Sequence, residues 1–360
     1  MKALIVGLGS MGKRRIRLLK GIDPSIEIIG VDTWDERRSQ VEEMGHKTFT
    51  SIADAANEKP DVAFVCTAPL SHYAILRELL THKINSFTEL NLVKDGYEEL
   101  MELAKANDTV LFLSSTMLYR GEINFILEHI EDVAQNLIVL VCSEMSYGSI
   151  KKMELVLKAD LLEEVKKYDK PVSYIYHIGQ YLPDWHPWES YKNFFVGNKR
   201  TNGCREIFGI EMPWLIEAFG KVTDVYSVSN KVTDLDIDFD DRYFVTLTHE
   251  SGARGVLSVD VVCPKAVRNL EVYGEGLHLF WEGNPKALWK FNNETKEKEF
   301  INTYVTFEHD SRYSDNIVEN AYVDEMQNFL NVVKGTETPK YSFEKDLYTI
   351  SVMDKIEGIE

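Results

Sequence analysis

Cysteine is scarce in this chain of 360 residues: there are four, Cys66, Cys142, Cys204 and Cys263, with no Cys-x-x-Cys pair and no metal-ligand spacing. A disulfide framework and a structural zinc site are thereby excluded. Cys66 and Cys142 lie inside apolar runs and read as small core residues of a reducing, cytoplasmic compartment. No apolar stretch is long enough to span a bilayer, and with a core-type strand in the first residues no signal peptide is expected. Positive charge is also short, with 40 Lys and Arg against 58 Asp and Glu for a net charge of −18. So acidic a surface repels phosphate backbones and anionic lipid, so neither nucleic acid nor membrane is expected as a partner. The Asp-rich stretch Asp234–Asp241 lacks the glycine and the closing glutamate of a calcium loop, and no metal is expected there. Repeats, low-complexity tracts and Pro/Gly-rich linkers are absent.

What is present begins at the first residue. The apolar run Ala3–Val6 leads into Gly7, Gly9 and Gly12, with Ser10 and Met11 between them, and a helix-compatible segment Lys13–Lys20 follows. This is Gly-x-Gly-x-x-Gly in a strand–turn–helix setting, where the glycines allow the tight turn, close approach of a pyrophosphate and helix–strand packing. The helix N-terminus offers free N–H groups to the phosphates. A second run, Ile26–Val31, ends at Asp32, 20 residues after Gly12 (32 − 12), where a carboxylate accepts from a ribose 2′-OH and repels a 2′-phosphate. NAD is therefore the expected cofactor and NADP the less favoured one, with Arg37 and Arg38 close enough to soften the preference.

Strand and helix candidates alternate to about residue 116: helix Asp35–Met44, strand Lys47–Thr50, helix Ile52–Glu58, strand Asp61–Cys66, helix Ser71–His82, strand Asn85–Thr88, helix Asp95–Ala106 and strand Thr109–Ser114. Such a series implies a doubly wound parallel sheet with its ligand at the carboxyl ends of the strands. After helix Gly121–Ile130 and strand Leu137–Glu144 the pattern turns to strands: Pro171–His177, Val222–Ser229, Arg242–Glu250, Arg254–Val262, Leu270–Tyr273, His278–Trp281 and Ala287–Phe291, before a helix over Ala321–Val333. Hairpin spacing there implies an open sheet. The fold class is α/β: an N-terminal Rossmann domain over 1–120, then a C-terminal α+β domain over 121–360 with a large, open, mostly antiparallel sheet, its final helices packing back on the first domain. An open sheet with Val245, Leu247, Val256 and Val259 available for a second face predicts a homodimer or homotetramer.

The N-terminal fingerprint, Thr67-Ala68-Pro69-Leu70-Ser71-His72 after strand Asp61–Cys66, and Glu89 after strand Asn85–Thr88 resemble the Gfo/Idh/MocA family of sugar and inositol oxidoreductases. The tail, Glu325-Met326-Gln327-Asn328-Phe329 followed by Lys334-Gly335, Pro339 and Ser342-Phe343-Glu344, is similar to that family's closing helix and Ser-x-Glu segment. The segment Gly179–Tyr191 is similar to members associated with nucleotide-sugar and surface-polysaccharide pathways. The resemblance implies a nicotinamide cofactor bordered by Thr67, Pro69, His72 and Glu89, and a sugar or nucleotide-sugar substrate at the domain cleft.

The chain departs from that family where the chemistry is done. Its Glu-Lys-Pro element becomes Glu89-Leu90-Asn91, and its Asp-x-x-x-His element, anchored on Phe219-Gly220, becomes Glu206 and Ile210; a further Asp becomes Pro213. Oxidation of a secondary alcohol releases a proton that Leu and Ile cannot take. Glu206, Glu211, His177, His186, Tyr119 and Tyr181 are the candidate acid–base groups, with Glu206 holding the best positional claim. Arg120, Tyr181, His186 and Arg205 are the candidate substrate contacts, Arg120 as a bidentate anion clamp. Loss of catalysis with retention of dinucleotide binding, and redox-neutral use of NAD in a glycosidase-like reaction, stand as alternatives.

Overall fold

The alternating half forms six strands in one sheet. In the computed structural model, which describes residues 1–130, 171–186, 189–306 and 317–359, strands β1 (Lys2–Val6), β2 (Glu27–Val31), β3 (Lys47–Phe49), β4 (Val62–Val65), β5 (Asn85–Thr88) and β6 (Leu111–Leu113) run in the order β3-β2-β1-β4-β5-β6. Every pairing is parallel. Apart from Phe49 and Leu111 on the outer strands, their Val, Ile, Leu and Phe side chains are buried on both faces, as the helices of a doubly wound sheet require. Helices α1 (Ser10–Ile22), α2 (Asp35–Glu43), α3 (Ile52–Ala56), α4 (His72–Thr81) and α5 (Tyr97–Asn107) make the connections. Strand order reverses between β1 and β4, so the loops after these two strands open the ligand crevice. Residues 121–130 are helical, and the expected strand Leu137–Glu144, with Cys142, lies outside the described residues.

The second sheet has eight strands: β7 (Ser173–Gly179), β8 (Val222–Asn230), β9 (Arg242–His249), β10 (Arg254–Asp260), β11 (Val267–Gly274), β12 (Leu277–Trp281), β13 (Leu288–Phe291) and β14 (Lys298–Phe300). They are ordered β14-β13-β12-β11-β7-β10-β9-β8, and β7 and β10 pair in parallel while the other neighbours are antiparallel. Helix α6 (Gly203–Phe219) covers one face, with Tyr174 stacked on Phe219 and Tyr176 edge-on to Trp214. Period-two alternation then sends Ile175, Tyr226, Val228, Phe244, Val256, Tyr273 and Phe300 to the opposite face, where all are exposed. Val245, Leu247 and Val259 differ from the expectation. They are buried on the covered face, because strand parity is set by which face α6 takes.

Of the closing helices, the first returns to the first sheet and the second lies between α6, β8 and α5. Helix α7 (Glu319–Val333) puts Phe329 against Phe64 (5.3 Å between ring centroids), Phe87 (5.6 Å) and Phe112 (5.4 Å). Helix α8 (Phe343–Glu357), capped by the Ser342 hydroxyl accepting from Lys345 N–H, packs Phe343 tilted against Tyr97 of α5, 4.6 Å between ring centroids. Phe329 is fully buried, so Phe329→Ala should cost about 3–5 kcal/mol by leaving a cavity among three rings. Urea unfolding checks this, and a loss below about 1 kcal/mol would show that α7 is not an integral part of the first sheet's core.

Candidate active site

The glycine turn is built by close backbone approach. Gly7 has φ +92°, and a Cβ there would come within 2.7 Å of the Cys66 carbonyl; one at Gly12 would lie 2.0 Å from the Gly7 carbonyl. Gly9 is different. Its Cβ would meet nothing nearer than the Arg37 guanidinium at 3.9 Å, so the space above it is open to a ligand. Ser10 and Met11 form the first turn of α1, whose N-cap, Gly9, has no side chain to spend on the helix N–H groups. These features fit a pyrophosphate.

Asp32 sits at the end of β2, largely buried, with Oδ2 accepting from Leu8 N–H (2.8 Å) and Oδ1 from Trp34 N–H (2.9 Å). It thus braces the glycine turn. Arg37 lies 3.6 Å from Asp32 Oδ2 and 4.4 Å over the Trp34 ring, while Arg38 donates to the Asp32 carbonyl.

After β4, Ser71 donates to Thr67 Oγ1, Pro69 opens a short 3-10 turn, and His72 begins α4. The buried His72 ring joins two loops, contacting the Thr67 carbonyl through Nε2 (2.9 Å) and Asn91 through Nδ1. Burial depresses its pKa, which keeps the ring neutral. Glu89, at the end of β5 and two strands (roughly 10 Å) from β1, is held by Arg15 through Nε (2.7 Å) and Nη2 (2.9 Å). Arg15 is wholly buried and also reaches Glu325 of α7 at 3.1 Å. Burial opposes its charge, but the two carboxylates override it and raise its pKa. Glu325 accepts further from Ser114 Oγ, Ser115 N–H and Thr116 Oγ1. Sequence reasoning gave Arg15 no role; its position one helical turn beyond Gly12 was the available signal.

Across the crevice stands the first part of α6. Asn202 caps it, accepting from Arg205 N–H (2.8 Å). Leu90 and Leu92 pack on Gly209, whose added Cβ would lie 3.3 Å from Leu90 Cδ1 and 2.7 Å from Leu92 Cδ2. Glu206 lies one turn earlier, on the same helix face as Gly209 and Ile210. Its Oε2 is buried and has no hydrogen-bond partner among the described residues. Burial alone pushes the carboxyl up to about 8.

The remaining expected site residues fall elsewhere. His177 faces away from α6, because its neighbour Tyr176 points at α6 and donates to Glu211 (2.7 Å); His177 pairs instead with Asp260 on the open sheet face. Glu211, on α6 itself, is buried on the side facing the sheet, accepting also from Trp214 and Arg268. Tyr119 is buried with its hydroxyl donating to Asn328. Arg120 is bound to Glu122 and the Gly283 carbonyl and lies over Trp281, joining the end of the first sheet to the second. Arg205 is tied to Leu92 O, Asp354 and Glu357. Arg120 and Arg205 depart from the expectation of a substrate-facing side chain because their polar atoms serve the joint between the sheets, and Tyr119 because its hydroxyl is spent on α7. Tyr181 and His186 lie on the loop preceding α6, with His186 4.3 Å from the Phe194 ring and its pKa lowered by burial. Among the described residues, no cluster of His, Cys, Asp or Glu is arranged to hold a metal, and no helix is long and apolar enough to cross a membrane.

Residues 1–114 match the family model described as "Oxidoreductase family, NAD-binding Rossmann fold". No curated protein sequence matches the chain. Solved structures match over nearly its full length. An oxidoreductase from Agrobacterium radiobacter in complex with NAD+, L-tartaric acid and magnesium has a TM-score of 0.74 at 12% identity, covering 99% of this chain and 96% of its own. The WlbA dehydrogenase from Bordetella pertussis, in complex with NADH and UDP-GlcNAcA, has 0.67 at 13%, covering 99% and 95%. UDP-N-acetylglucosamine 3-dehydrogenase GnnA from Acidithiobacillus ferrooxidans has 0.65 at 13%, covering 99% and 97%. Likeness at this level of identity establishes the fold.

Two glycine substitutions separate binding from folding. Gly9→Val should abolish NADH binding in a calorimetric titration while leaving the melting temperature close to wild type, since its side chain enters open space. Gly12→Ala should destabilise the protein outright. Normal NADH affinity in Gly9→Val would make the turn purely structural.

Proposed function

We propose that the chain, whose residues 1–114 match the model of the Gfo/Idh/MocA oxidoreductases' NAD-binding Rossmann fold, is an NAD-dependent oxidoreductase acting at a hydroxyl or carbonyl carbon of a sugar, first among them a nucleotide-linked sugar. The bound nicotinamide supplies or accepts the hydride. The chain's residues do the rest: the Gly7–Gly12 turn and the start of α1 hold the pyrophosphate, and Asp32 takes the adenosine ribose. Thr67, Pro69, His72 and Glu89 border the nicotinamide half. NAD is preferred because Asp32 would face a 2′-phosphate, although Arg37 offers that phosphate a counter-charge.

One observation carries the reading: Glu206 Oε2, buried and without a hydrogen-bond partner among the described residues, lies one turn along α6 from Gly209, on which Leu90 of the loop that begins at Glu89 packs. A group so placed exchanges a proton with a substrate oxygen, the role that the family's lysine and histidine positions, here Leu90 and Ile210, have lost. Tyr181 and His186 are the substrate contacts at the rim. The UDP-GlcNAcA bound to the similar WlbA structure and the UDP-N-acetylglucosamine in the name of GnnA support that substrate class. The replacements at Leu90, Ile210 and Pro213 favour one other reading, a dinucleotide-binding protein without turnover.

The exposed apolar face of the second sheet is proposed to pack on the same face of a second copy, since soluble monomers rarely expose so many large apolar side chains on one surface. The free thiols Cys66, Cys204 and Cys263 suit a cytoplasmic site of action. Light scattering should give at least a dimer at micromolar concentration; a monomer mass would refute the packing.

Glu206→Gln preserves shape and removes proton exchange. With a panel of sugar nucleotides and nicotinamide absorbance as the readout, it should lower kcat by roughly 10²–10⁴-fold with NADH affinity unchanged. A wild-type rate in this variant would remove Glu206 from the chemistry. A wild type inert across the panel that still binds NADH would favour the protein without turnover.

A further inference from the structure

The environment of Glu206 also bears on the direction of the reaction, granted the site proposed above. An ionised carboxylate needs donors or a cation, and an uncompensated one in a buried position is costly. None is supplied among the described residues. The helix cap uses Asn202, not the glutamate, to satisfy the Arg205 N–H. The Arg205 guanidinium, next in sequence, is turned to Leu92 O, Asp354 and Glu357. From the β5 loop the facing side chains are Leu90 and Leu92, which pack on Gly209. From the loop preceding α6, Leu182 and Trp185 pack at Gly203, and the Trp185 N–H is spent on the Gln180 carbonyl.

We propose that Glu206 enters the cycle as a proton donor, so that the chain reduces a carbonyl carbon of a keto-sugar in preference to oxidising an alcohol. The carbonyl carbon gains a hydride from reduced nicotinamide, and its oxygen gains the Glu206 proton. The C=O π bond is thereby replaced by one C–H and one O–H bond, and the Glu206 carboxylate recovers a proton from water. An apolar floor favours this direction, since it holds the neutral acid and receives a neutral ketone without a cation to polarise it. A carboxyl that titrates near 8 is mostly protonated at neutral pH, as a proton donor must be. The sign follows from the raised value: the acid form is present below about 8 and is lost above it. Carbonyl reduction should then decline about tenfold for each pH unit beyond that point.

The test is infrared spectroscopy of the whole protein across the neutral and mildly alkaline range, comparing wild type with Glu206→Gln, with Glu206→Asp as a second variant that keeps a carboxyl. Wild type at neutral pH should show a protonated-carboxyl C=O stretch that is absent from Glu206→Gln and fades as the pH passes about 8. Alongside, NADH consumption with keto-sugar nucleotides should exceed NAD+ reduction with the matching alcohols at neutral pH. A missing band in wild type, with Glu206→Gln still slowed, overturns the donor role and leaves the oxidoreductase reading standing. Wild-type turnover in Glu206→Gln overturns both.

Discussion

A single buried guanidinium ties this structure together. Arg15, on the first helix after the glycine turn, is held between Glu89 at the end of β5 and Glu325 on the returning helix α7, with its plane over the Phe87 ring at 4.7 Å. Removing such a charge from water costs several kcal/mol, and only close, multiply bonded partners offset that cost. Both are present: a bidentate carboxylate on one side, and on the other a carboxylate that also accepts from Ser114, Ser115 and Thr116 where the chain leaves the first sheet. Four segments that would otherwise be independent (α1, the end of β5, the end of β6 and α7) are thereby fixed to one another. Glu89 is oriented at the crevice as a consequence.

The second sheet reaches the crevice through a different joint. Arg205 bridges α6 to the loop after β5 and to α8, and Arg120 bridges the end of the first sheet to the second through Glu122 and Gly283. Both arginines are consumed in this way. Leu90, Leu92 and Gly209 meet at the crevice, and the Glu206 carboxyl is left without a donor. The leucine at position 90, packed one turn along α6 from Glu206, supplies no charge that would hold that carboxyl ionised.

Much of this was legible in the sequence where the determinants are local. Each βα unit of the first half announces itself within about twenty residues, and Gly7, Gly9, Gly12 and Asp32 have meaning through spacing alone. Legibility failed where the determinants are distant or the pattern is featureless. Helix α6 is apolar on nearly every side, with Gly209 and Pro213 inside it, so no amphipathic period marks it. The faces of the second sheet depend on which one α6 covers, which is why His177, a plausible base by sequence, points to the open side. Arg15 and Glu325 are 310 residues apart, and no local signal connects them. Tyr119 and Arg120 lie at the expected end of β6, yet the return of α7 and the 282–287 loop turns them into structural contacts.

The most direct test of the site is a crystal structure of the protein with NADH and an unreactive keto-sugar nucleotide bound. The nicotinamide should lie between the Glu89 loop and α6, with room for one carbonyl group between its reactive carbon and the Glu206 carboxyl, and with that carboxyl within hydrogen-bond reach of the ligand's oxygen. A nicotinamide whose reactive face turns away from α6, or a Glu206 carboxyl separated from the ligand by other side chains, would contradict it.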